Sequence, residues 1–203
     1  AELRAPLEIA SFDQFARDGG SMLFRGETFL RPAAWYELDD RTLESRVTAF
    51  AAETKLDMSA YGVLRETARS KDGTTVPMSV LTPKDFRPDG SHACVVTGYG
   101  GYGHSIDPEF KPDSALWLER GVVHVVANLR GGAEFGEAWH RAGSLEKKHN
   151  VFDDFAAVLS SLAERKYCDP SRIGIIGGSN GGLLMGATIV EHPELVRAAV
   201  SYV

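Results

Sequence analysis

The 203-residue chain carries 28 acidic and 22 basic side chains, a formal net charge of -6, with 43% hydrophobic and 25% charged residues. That balance is globular and excludes disorder, collagen and coiled coil as descriptions of the whole chain. It argues against a dedicated nucleic-acid binder, which needs a basic face to neutralise phosphates, and no apolar run approaches the ~20 residues of a membrane span.

The first third reads as short strands between turns. Leu7 to Phe12, Ser21 to Phe29, Ala34 to Leu38 and Arg46 to Phe50 are β-like runs, separated by Asp18-Gly19-Gly20, Arg31-Pro32 and Asp39-Asp40. Four strands of this length make one propeller blade, or equally a small antiparallel sheet. A hairpin follows. Gly62 to Ser70 and Thr75 to Pro83 are extended, with Asp72-Gly73 at the turn, and Pro77 predicts an edge position or a bulge.

From residue 92 the texture changes. His92 to Thr97, Gly121 to Ala127 and Arg172 to Ile176 are apolar runs without polar alternation, as in parallel strands covered on both faces. Between them, Asn150 to Lys166 has helical period, with Val151, Phe152, Phe155, Val158, Leu159 and Leu162 on one stripe. Asn150 or Asp153 suits its N-terminus, and Asp153-Asp154 suits the dipole there. Gly181 to Val190 predicts another helix, stopped near His192-Pro193, and Val196 to Val203 one more buried strand. Strand and helix alternation of this kind means an α/β fold.

The sharpest motif is Gly177-Gly178-Ser179-Asn180-Gly181, a G-x-S-x-G between a buried strand and an apolar helix. That context is a nucleophile elbow: a tight turn pushes Ser179 up at a helix N-terminus, where amides face developing negative charge. Gly98-Tyr99-Gly100-Gly101-Tyr102-Gly103 spells G-x-G-x-x-G. A dinucleotide site would need a helix starting within the glycines and an acidic residue ending the next strand. Instead Pro108 and Pro112 break helix, and the next strand runs into Asn128-Leu129-Arg130. In a hydrolase, the loop after this strand supplies the second oxyanion donor, here a glycine amide or a tyrosine hydroxyl.

Four ordered blocks then stand out: Gly98 to Gly103, Ala127 to His140 (ANLRGGAEFGEAWH), Asn150 to Phe155 (NVFDDF) and Gly177 to Leu184. In order and spacing they resemble the prolyl oligopeptidase family of serine peptidases. The resemblance is dense from about residue 62 onward. It implies a partial α/β-hydrolase domain over residues 61–203, preceded over 1–60 by strands from the end of a β-propeller. It implies Ser179 as the acylating nucleophile, and the Asn180 backbone N–H and the Tyr99 hydroxyl as the oxyanion hole. Tyr102 falls where the family places an aromatic residue near the substrate pocket. Short peptides are the implied substrates, with no cofactor. Asn180 after Ser179 looks closer to the prolyl-specific branch than to oligopeptidase B.

A serine nucleophile needs a general base, and in α/β-hydrolases the order is Ser, then Asp or Glu, then His. After Ser179 the sequence holds no Asp, two Glu and one His. That His192 closes the predicted helix, on the order of 20 Å from Ser179 at the helical rise. His104, His124, His140 and His149 show no ligand or triad spacing, and no metal site is expected. The expectation is a fragment that is inactive alone, with the triad Asp and His beyond it and an exposed apolar sheet edge. An esterase or another peptidase on the same scaffold, or a non-catalytic binding module, are the alternatives. Cys94 and Cys168 are read as buried fillers or surface thiols, not as a disulfide. That reading is compatible with the cytoplasm and does not exclude the periplasm; oligomeric state is not legible.

Overall fold

The structure, a computed structural model, describes residues 10–18 and 21–203, with all of their side chains except those of Gln14 and Asp18. The chain divides into two units: residues 1–60 with 107–115, and residues 61–106 with 116–203.

In the first unit, β1 (Ala10–Asp18), β2 (Ser21–Thr28), β3 (Ala34–Asp39) and β4 (Ser45–Ala51) form an antiparallel meander in that order. Side chains alternate in and out with the period of two that strands require. Phe24, Ala34, Tyr36 and Leu38 are buried on one face, where Phe24 stacks on Tyr36 with ring centroids 5.3 Å apart. The turns use side-chain oxygens as the sequence suggests: Asp39 Oδ1 accepts from the amides of Arg41 and Thr42. The strand predicted to stop at Phe12 runs on to Asp18, pairing Phe15 with Phe24 and Ala16 with Leu23. A register shift between Asp13 and Phe15 hides its alternation. The predicted start at Leu7 and the Gly19-Gly20 turn lie outside the described residues.

The second unit is built on a six-stranded sheet of β5 (Tyr61–Arg69), β6 (Thr75–Pro83), β7 (Cys94–Thr97), β8 (Val123–Ala127), β9 (Ile173–Gly178) and β10 (Ala198–Tyr202), in the order β10-β9-β7-β8-β6-β5. The four strands from β10 to β8 are mutually parallel, and the β5–β6 hairpin joins antiparallel to β8. Helix α1 (Pro112–Leu118) runs from the first unit into the second, and α2 (Glu137–Arg141), α3 (His149–Glu164) and α4 (Asn180–Glu191) belong to the second. The predicted stripe of α3 is buried as a set, with Phe155, Val158, Leu159 and Leu162 fully enclosed alongside Met78, Val80, Val125 and Ile175.

Several expectations need correction. Pro77 is neither at an edge nor in a bulge: β6 lies between β5 and β8, and the β5–β6 register runs unbroken through Pro77. It is tolerated because it sits one residue beyond the β6–β8 ladder, where only its carbonyl is used, by the Asn128 amide. The helix-free stretch expected up to Pro112 holds to residue 111, and Pro112 then opens α1, the position where a missing N–H costs nothing. Asn150 does not cap α3; its amide donates to Ala142 O at 2.8 Å. The last strand, β10, is exposed, with Val200 and Tyr202 more than half open to solvent. Finally, Cys94 and Cys168 are disulfide-bonded, their Cα atoms 5.7 Å apart across 74 residues of sequence.

The largest correction concerns Asp154. Its carboxylate is fully buried and holds Arg130, with Nη2 to Oδ1 at 2.6 Å and Nε to Oδ2 at 2.9 Å. It also accepts the Arg130 backbone N–H. Arg130 reaches on to Ser70 and to Asp72 in the hairpin turn. Burial disfavours the Arg130 charge, but its bonds to Asp154 and Asp72 outweigh that and raise its pKa. Asp72 in turn is held well below the usual carboxylate range, chiefly by the Arg130 bond and then by the Thr74 amide. The folded state therefore favours ionised Asp72. That contribution is complete above the unfolded pKa of ~3.9 and is lost as pH falls through the lower folded value. Asp154→Ala strands the guanidinium in the core and is expected to cost about 3–5 kcal/mol, read from urea unfolding of the chain. A loss under ~1 kcal/mol, as for a surface pair, would mean the ion pair is not buried in solution.

Candidate active site

The turn from β9 into α4 carries Ser179. Its backbone has φ 55° and ψ -122°, a region that L side chains rarely occupy. The turn is held from both sides: Ser179 N–H donates to Tyr202 O at 3.0 Å, and Ser179 O accepts from Gly182 and Leu183. Those are the first bonds of α4, so the amides of Asn180 and Gly181 stand ahead of the helical ladder at its positive end. The side chain of Ser179 is exposed while its neighbours are not. Tightness explains the flanking glycines. A Cβ on Gly177 would sit 2.6 Å from the Gly181 carbonyl oxygen.

The second segment is the loop after β7. No helix starts within Gly98 to Gly103, as the sequence reading anticipates, and the chain continues as irregular loop to residue 111. Gly100 has φ 61°, and a Cβ there would strike Val151 of α3 at 2.2 Å. The loop is pressed onto residues 128–143, with Gly103 N–H donating to Gly131 O and His140 Nδ1 2.9 Å from the same oxygen. Trp139 Nε1 donates to Leu129 O at 2.9 Å, which folds this block back on itself.

Tyr99, Tyr102, Ser179, Asn180, Leu183 and Val203 line one open cleft. The four residues singled out from the sequence thus meet at one surface. Tyr99 is half-buried, its ring edge-on to His104 at 5.1 Å, and Tyr102 is 84% exposed with φ 55°. Among the described residues, no histidine, aspartate or glutamate side chain lines the cleft. His192 lies at the C-terminal cap of α4, 3.5 Å from Glu194. His104 is exposed, and His149 stands 3.7 Å from Glu191. Among the described residues no group of three or more His, Cys, Asp or Glu could hold a metal.

One residue at the site escaped the sequence reading. Lys148 Nζ donates to Gly100 O at 2.7 Å and to Asn180 Oδ1 at 2.9 Å, and Asn180 Nδ2 donates to Tyr99 O at 2.5 Å. Lys147 and Lys148 are alike in sequence, and only packing separates the exposed one from the half-buried one.

Residues 108–203 match the prolyl oligopeptidase family. A structure of a prolyl endopeptidase superposes over 98% of this chain and 29% of its own, at 38% identity and a TM-score of 0.90. The chain is thus similar to the prolyl oligopeptidase family, in sequence over residues 108–203 and in fold over 98% of its length. An uncharacterised peptidase of Sinorhizobium fredii is 38% identical over 86% of this chain and 24% of its own length. Prolyl oligopeptidase A of Galerina marginata is 48% identical over 62% of this chain and 17% of its own. The chain therefore spans less than a third of each of these relatives. The six-stranded sheet is a partial α/β-hydrolase sheet of the prolyl oligopeptidase fold, whose solved members join it to a propeller.

Gly177→Ala drives a methyl group into the elbow backbone and is expected to cost about 1–3 kcal/mol, measured by urea unfolding. An undiminished stability would mean that the turn has room which the structure does not give it.

Proposed function

We propose that the protein is a serine peptidase of the prolyl oligopeptidase type, cleaving short peptides after proline through an acyl-enzyme on Ser179. The observation that carries this reading is the elbow: an exposed serine at φ 55° with two unladdered amides beside it. A hydroxyl raised at a helix N-terminus is where a tetrahedral oxyanion gains most from fixed dipoles.

In this mechanism the Ser179 Oγ attacks the scissile carbonyl carbon as its proton passes to a histidine base. The carbonyl oxygen becomes an oxyanion, held by the Asn180 N–H and the Tyr99 hydroxyl. Collapse expels the amine, which takes the proton from the histidine, and water then hydrolyses the ester by the same steps. In this reading the cleft contributes the nucleophile and the donors, and no residue of its lining is assigned as the base. Tyr102, exposed at the rim, would pack against the substrate. Residues 1–60 are read as the end of a propeller and 61–203 as the hydrolase part. Ser179-Asn180 favours the prolyl branch.

The first test is a fluorophosphonate probe on the full-length protein, with the labelled residue located by mass spectrometry. Labelling at Ser179 that is abolished in Ser179→Ala is expected; labelling elsewhere, or none, would overturn the assignment. Tyr99→Phe in the full-length protein is expected to lower kcat by about 10²–10³-fold, as for other lost oxyanion donors. An unchanged rate would remove Tyr99 from the role. A substrate panel decides specificity. Faster cleavage after Lys or Arg would mean an oligopeptidase B-like enzyme, and hydrolysis of esters alone an esterase.

A further inference from the structure

Lys148 occupies a place that its charge does not favour. It is the N-cap position of α3, where the helix dipole presents its positive end. Burial pushes the Lys148 ammonium down, and among the described residues no carboxylate is bonded to it. Its two acceptors are both neutral oxygens. One is the carbonyl of Gly100, in the loop that carries Tyr99. The other is the side-chain oxygen of Asn180, whose backbone N–H opens α4. Asn180 closes the triangle by donating to the carbonyl of Tyr99.

The two proposed oxyanion donors therefore come from segments 81 residues apart in sequence, and one ammonium is bonded to both segments. Oxyanion catalysis depends on the donors being fixed before charge develops, since any motion at that moment adds to the barrier. The loop after β7 is irregular and rich in glycine, so its own backbone does little to hold it. We propose that Lys148 is a positioning residue, which locks the Tyr99 loop to the start of α4 and sets the spacing of the two oxyanion donors. This rests on the Ser179 reading above.

The test uses the full-length protein with Lys148→Met, which keeps the chain length and removes the donors, and Asn180→Ala, which keeps the backbone N–H and removes the link. Active sites are counted by fluorophosphonate titration, so that turnover is expressed per competent serine. A donor displaced by up to ~1 Å is expected to lower kcat per site by about 10- to 100-fold with KM changed less than about threefold. A peptide aldehyde, which forms a tetrahedral adduct on the serine, should weaken by the same factor, while a product peptide binds as before. The double variant should be little worse than either single one, because both break one linkage. Full additivity, an unchanged kcat per site, or equal weakening of aldehyde and product would overturn the proposal. Fewer titratable sites at unchanged kcat per site would overturn it too, leaving Lys148 a folding residue. Ser179→Ala is the separate control: if it retains peptidase activity, the Ser179 reading fails and not the linkage.

Discussion

A single buried ion pair organises the second unit. Arg130 and Asp154 are both enclosed, and neither can be withdrawn without leaving the other charged in the core. Their bond joins the segment after β8 to α3, and the reach of Arg130 to Ser70 and Asp72 adds the hairpin turn. With Arg130 fixed, Gly131 and Gly132 are fixed, and Gly131 offers its carbonyl to Gly103 and stands against Gly100. The loop that bears Tyr99 is thus seated on a platform whose position an internal salt bridge sets.

The site then follows from two close approaches. One is within the elbow, where Gly177 and Gly181 leave no space for a side chain. The other is between the elbow and the loop after β7, joined through Asn180 and Lys148. Hydrophobic burial builds the sheet and the α3 face, but it is non-directional and cannot set donor positions. Directional bonds to backbone carbonyls do that.

Much of this was legible in the sequence because local pattern and tertiary role agree. The valine-rich run of β8, the stripe of α3 and the glycines around Ser179 each have one physical explanation. What was illegible depended on neighbours distant in sequence. Asp154 lies on the buried side of α3 and looks like a helix-dipole residue until Arg130 is brought to it. Pro77 reads as an edge signal, because the sequence does not reveal that the β8 ladder stops one residue short of it. The pairing of Cys94 with Cys168 needs β7 and the approach to β9 side by side, which only the topology supplies. Lys148 is the extreme case, a functional candidate with an identical neighbour beside it.

The backbone of Ser179 has one more consequence. At φ 55° glycine would be more comfortable than serine, by an amount on the order of 1 kcal/mol. The position at the heart of the proposed chemistry is therefore one where the fold prefers a residue with no hydroxyl. Selection of variants for heat resistance alone would drift toward glycine there and enrich a sturdier protein that has lost its nucleophile. Thermostability and activity have to be screened together in this fold, because at this residue they point to different amino acids.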